Sequence, residues 1–202
     1  MTGAEGGIRF DPPLPEAKRE AITAINMPPG FRILFRMKGR FYPDLTMGTS
    51  FCAAICGDSD DDLTMVYDPL IGKDHVPSDT HVVCLVAIGD RNAGEMGELP
   101  DAELGAAALR RIDEMFDGQG SANLIGAPVV QNWTKEPYIF GAYSFRGPTS
   151  HREELARSEA GGRVIFAGEH TCLKYFSTVQ GSALEGRRAA MEAVLGGRAS
   201  AM

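Results

Sequence analysis

The chain has 202 residues, 44% of them apolar, and its 27 acidic against 20 basic side chains give a formal charge of −7. That length buries one sizeable core or two small lobes. The lysines and arginines are scattered, which argues against nucleic acid as a partner, because phosphate binding needs a concentrated positive field. No run of 18 apolar residues is present and the first seven residues lack a secretory start, so a cytoplasmic protein without a membrane partner is expected. Cys52, Cys56, Cys84 and Cys172 form no CxxC pair and no histidine stands at zinc spacing, so reduced thiols and no metal are expected.

Along the chain, residues 8–15 read as a short strand breaking into a proline-rich turn. A helix is expected over 15–25, with Ala17, Ala21, Ile22 and Ile25 at helical spacing, stopped by Pro28, Pro29 and Gly30. Residues 31–37 and 62–67 are β-rich and read as strands, with a solvated acidic turn over 57–62 that lacks the glycine and terminal glutamate of a calcium loop. The run 81–88 is the most apolar and predicts a central strand buried on both faces. A helix over 100–116 follows, with Leu104, Ala108, Leu109, Ile112 and Phe116 on one face, then a strand over 126–133 leading into 141–145. This order suggests an α+β (mixed α/β) protein with a mixed sheet covered on one face. In the tail, a strand over 163–169 ends in Gly168 and Glu169, and a helix runs over 181–195. Strand, loop and helix N-terminus is a unit that holds phosphates and cofactor rings.

Three stretches together carry a resemblance. Phe166-Ala-Gly-Glu-His-Thr171, Ser177-Thr-Val-Gln-Gly-Ser182 and Gly186-Arg-Arg-Ala-Ala190 resemble the C-terminal FAD signature of flavin-containing amine oxidases, the family of monoamine and polyamine oxidases, L-amino-acid oxidases and lysine-specific histone demethylases. Upstream, residues 132–145 are similar to the family's Trp…Pro-Tyr…Gly-x-Tyr-Ser segment, and residues 10–15 to the stretch opening its substrate domain. The resemblance runs from about Ile8 to Leu195 and is thinnest between Phe41 and Gly126.

It implies a substrate-binding domain over 8–150 and a C-terminal segment of the FAD-binding domain over 151–197, with flexible termini at 1–7 and 198–202. It implies cofactor contacts from Trp133, Gly168, Glu169, Thr178 and Val179: Glu169 at the ribityl and pyrophosphate region, Thr178 and Val179 at the pyrimidine edge, Trp133 beside the ring system. Tyr143 matches the aromatic before the flavin face that guides the amine. Arg32 falls where many members place a lysine holding a water near the flavin, and arginine, which does not deprotonate, is a poor substitute. Ala142 stands where monoamine oxidases bond a cysteine to the flavin, so FAD would be non-covalent.

No Gly-x-Gly-x-x-Gly follows a strand, so the ADP half of FAD has no seat in these residues. The expected function is that of the C-terminal part or subunit of an FAD-dependent amine oxidase, acting on a small-molecule amine or amino acid. The missing half would come from a partner chain, or the chain would pair with a second copy. The alternative is a non-catalytic relic or interaction module that kept the substrate-domain fold. Specificity would lie in residues 41–59 and 68–80.

Overall fold

The computed structural model describes residues 8–42, 53–59, 62–70, 77, 79–145 and 147–199. Internal contacts gather the chain into two compact units, one formed by the residues up to Met27 and from Tyr143 onward, the other by Pro28–Ala142.

The second unit is built on a five-stranded sheet of β1 (Gly30–Met37), β2 (Ala53–Ser59), β3 (Asp62–Tyr67), β4 (His81–Ile88) and β5 (Val129–Asn132), in the order β2-β3-β4-β1-β5. Alternation along β1 decides its orientation: Phe31, Ile33, Phe35 and Met37 are buried while Arg32 and Arg36 are exposed, the period of two that a pleated strand imposes. The buried set packs on Val83, Leu85 and Ala87 of β4, on Val66 of β3, and on Leu104, Ala108 and Ile112 of a covering helix. Burying each of the larger of these side chains stabilises the fold by roughly 1.5–3 kcal/mol.

That helix is α3 (Asp101–Met115). It opens after Pro100 with Asp101 and Glu103 in its first turn, where carboxylates complement the positive helix end. Two short helices, α2 (Glu95–Gly97) and α4 (Gln119–Asn123), precede and follow it. Strand β4 occupies the middle of the sheet with six consecutive buried residues.

The first unit contains α1 (Glu16–Ala24), α5 (Thr149–Ala156) and α6 (Val179–Ala199). Ala21 and Ile25 pack on Leu155, with Ile22 beside them. Lys18 is fully buried between α1 and α5. Its ammonium donates to the carbonyl of Glu154, to Leu155 O at 3.3 Å and to Arg157 O at 2.7 Å, lies 3.5 Å from the Glu159 carboxylate, and sits 4.6 Å from the centre of the Phe166 ring. A cation at the unsatisfied carbonyl end of α5 caps that helix.

The α+β class holds, and several elements differ from expectation. Every pairing among the five strands is antiparallel, so the sheet is not mixed; periodicity reports which face is buried, not strand direction. Residues 8–10 form no strand. The apolar run 163–169 makes only one bridge, Glu159↔Val164, because no described strand lies alongside to take up its ladder. Residues 141–145 likewise contribute a single bridge, Asn26↔Phe145. Residues 57–59, expected in a turn, close β2, and α5 was not anticipated. Helix α6 extends beyond the expected 181–195 at both ends, so 198 and 199 are helical rather than tail. The termini 1–7 and 200–202, Cys52, and much of the two stretches expected to set specificity lie outside the described residues.

Candidate flavin-contact site

Glu169 stands at the meeting point of three segments of the first unit. Gly168 precedes it at φ +129°, where a Cβ would come within 2.6 Å of the His170 ring, so the turn needs glycine. The turn then closes on itself: Thr171 N donates to Gly168 O at 3.1 Å and Cys172 N to Glu169 O at 3.0 Å. Burial of the His170 imidazole, the largest influence on it, holds its pKa below the ordinary 6.5 despite the Glu169 carboxylate.

The Glu169 carboxylate reaches back to Ser144. Its Oε1 accepts from Ser144 N at 2.7 Å, and its Oε2 accepts from Ser144 Oγ at 2.6 Å and from Ser177 N at 2.6 Å. The Ser177 hydroxyl in turn donates to the Ser144 carbonyl. Arg152, on α5 and only 2% exposed, donates from Nη1 to Ser144 Oγ at 2.9 Å and to His170 O at 3.0 Å, with its guanidinium 4.1 Å from the centre of the Phe176 ring.

Helix α6 begins beside this cluster. Thr178 caps it: its hydroxyl oxygen accepts from Gly181 N at 3.1 Å and donates to Tyr175 O at 2.6 Å. A Cβ on Gly181 would collide with the Tyr175 carbonyl, so only glycine lets the loop fold this tightly onto the helix start. The N–H groups of Val179 and Gln180 have no carbonyl four residues back within the helix and find none elsewhere among the described residues. Val179 itself is 85% exposed. Farther along α6, Arg188 pairs with Glu185 at 2.6 Å and Glu192 at 2.9 Å on the same helix, and ties the helix to the segment before Gly168 by donating to the Phe166 carbonyl at 2.6 Å.

The sequence matches the flavin containing amine oxidoreductase family over residues 3–194. The chain belongs to that family. The L-amino-acid oxidase of Siganus canaliculatus is 30% identical over 173 residues, 82% of this chain and 30% of that protein. Lysine-specific histone demethylase 2 of Homo sapiens is 27% identical over 192 residues, 92% of this chain and 22% of that protein. Among solved structures, the cyclohexylamine oxidase of Brevibacterium oxydans superposes with a TM-score of 0.66 at 21% identity, over 94% of this chain and 40% of that one, a likeness of fold. This amine oxidoreductase chain thus spans under a third of the length of these two curated relatives.

Within this family member the first unit brings together Gly168, Glu169, Thr178 and Val179, and joins them to the segment of Tyr143 through the neighbouring Ser144. Burial raises the pKa of the Tyr143 phenol, whose ring lies 6.4 Å from that of Phe145. Arg32 and Trp133 belong to the other unit. Arg32 projects from the face of β1 away from the core, opposite Val86 and Gln131, and Trp133 N donates to Gly30 O at 3.0 Å.

The donor set fits a flavin. A carboxylate offers about four acceptor positions, and with three donors already on Glu169 one remains, on Oε1. That position suits one hydroxyl, and the open N–H groups of Val179 and Gln180 suit an electron-rich ring edge. Among the described residues no cluster of three potential metal ligands occurs, and no helix is long and apolar enough to cross a membrane. Sequence reasoning missed Ser144, Ser177 and Arg152. The two serines sit inside the matched motifs, so their position was visible and only their role was not.

Proposed function

We propose that this chain supplies the substrate-side sheet and the final flavin-contacting segment of an FAD-dependent amine oxidase, which oxidises a C–N bond of an amine or amino acid to an imine, with dioxygen as the final electron acceptor reduced to hydrogen peroxide. The observation that carries it is the Glu169 carboxylate, gathered by Ser144 and Ser177 with one acceptor still open, where the family resemblance puts a ribityl contact. Bound FAD supplies the two-electron acceptor. Glu169 would hold a hydroxyl of the ribityl chain and the N–H groups of Val179 and Gln180 would face the pyrimidine edge, while Trp133 is carried over as a contact by the resemblance alone. The Tyr143 ring walls the amine and strips it of water, which favours the neutral, reactive form.

The dinucleotide half of FAD is held by sequence outside these 202 residues, on the same polypeptide or on a partner. The exposed apolar residues Leu184, Met191 and Leu195 of α6, which with Gly161 and Gly162 line a groove of about 730 Å³, support a covered position for that helix. The test is purification with and without such a half, followed by a visible spectrum. A yellow complex and a colourless isolated chain are expected, since half the cofactor's contacts cannot cover the ordering cost of binding; a colourless complex sinks the reading.

A non-catalytic role is favoured by one residue, Arg32, where a lysine would hold a water. Arg32→Lys in the assembled protein distinguishes the two: turnover that remains absent in both forms supports the interaction module.

A further inference from the structure

We propose that Arg152 is a positioning residue that fixes which oxygen of Glu169 is left open to a hydroxyl of the flavin's ribityl chain, an inference that rests on the flavin reading above. A guanidinium only donates, so Ser144 Oγ must accept from Arg152 Nη1 at 2.9 Å, and its single proton is directed to Glu169 Oε2 at 2.6 Å. With Ser177 N on the same oxygen, Oε2 is filled, and the free acceptor is confined to Oε1.

The same guanidinium reaches every segment that meets at Glu169. It holds the turn through His170 O at 3.0 Å, the Tyr143–Phe145 segment through Ser144, and the loop before α6 by stacking on Phe176 at 4.1 Å. Burying a guanidinium is costly, and a packing role alone is met as well by methionine or leucine. The network therefore has a direction as well as a shape: cation to hydroxyl to carboxylate, each bond polarising the next. Removing Arg152 lets the Ser144 hydroxyl rotate away, opens Oε2, and frees the turn and the loop to move apart.

The experiment measures FAD affinity in the assembled protein for Arg152→Met, Glu169→Gln and the double variant, with Arg152→Lys as the conservative replacement. Arg152→Met is expected to weaken FAD about ten-fold, the scale of one hydrogen bond to a charged group, and the double variant to be no weaker than Glu169→Gln alone. Arg152→Lys, which keeps a cation able to reach Ser144 Oγ or the His170 carbonyl, should recover part of the loss. In the flavin-free chain, hydrogen exchange at the Ser144 and Ser177 amides should quicken in Arg152→Met. Additive losses in the double variant, or unchanged FAD affinity, overturn the proposal while leaving the flavin reading intact. A wild-type assembly that binds no flavin overturns both. Where Arg152→Met does not fold, Ser144→Ala, which breaks the relay at its middle, carries the same comparison against Glu169→Gln.

Discussion

Ser144 gives both of its donors to one carboxylate, its N–H to Glu169 Oε1 and its hydroxyl to Glu169 Oε2. With Ser177 on the same group, Glu169 is a structural knot as well as a ligand contact. Glu169→Ala should therefore cost the isolated chain roughly 2–4 kcal/mol of stability, because three donors lose a charged acceptor. Urea denaturation of the purified chain measures it; a cost below about 0.5 kcal/mol, the level of an ordinary surface change, counts against the knot.

Lys18→Met leaves the last carbonyls of α5 without their cation. A loss of about 1–3 kcal/mol at neutral pH is expected, as for other buried acceptors stripped of a donor. Thermal unfolding reads the change, and proteolysis within α1 should accelerate in step.

Acid should act through His170. Its folded pKa lies below the unfolded value of 6.5, so the unfolded chain binds the proton more readily. The contribution is fully present above about 6.5 and is lost as the pH falls from there through the folded pKa. A His170→Gln variant should show a flatter stability profile across that window. Parallel wild-type and variant profiles contradict the assignment.

Tyr143→Ala in the assembled, flavin-loaded protein should lower kcat/KM while the visible spectrum stays intact, because its proposed work is on the amine. Loss of flavin with loss of rate would instead make Tyr143 a cofactor contact.

Met191 and Leu195 lie four positions apart on one face of α6 and are 54% and 60% exposed. Met191→Asp or Leu195→Asp should leave the isolated chain as stable as before, within about 0.5 kcal/mol, and abolish its association with the dinucleotide half. Sedimentation velocity on the mixture provides the check; undiminished association removes α6 from the interface.

The sheet was readable wherever a side-chain period was strong. The run 81–88 announced a strand buried on both faces and occupies the middle of the sheet, and the face of 104, 108 and 112 on α3 was visible at helical spacing. The short apolar run 163–169 looked equally strand-like and is not a strand, because pairing needs a neighbour and a sequence does not say whether one is there. Of the candidate site, the positions of Glu169 and Thr178 were marked by the motif around them. Arg152 was not, since nothing local separates one buried arginine on a short, largely polar helix from the exposed Arg157 five positions on.

The pairing of α1 with α5 sets an order of events during synthesis. Lys18 finds its acceptors 136 to 139 positions later, after the whole of Pro28–Ala142 has been made. The sheet unit is continuous in sequence and can condense while still attached to the ribosome, whereas α1 must wait with its apolar side uncovered until residue 157 emerges. Contacts of such long separation form late. A nascent chain halted with its emerged part ending between residues 142 and 157 should therefore present a protected sheet and an α1 still open to protease.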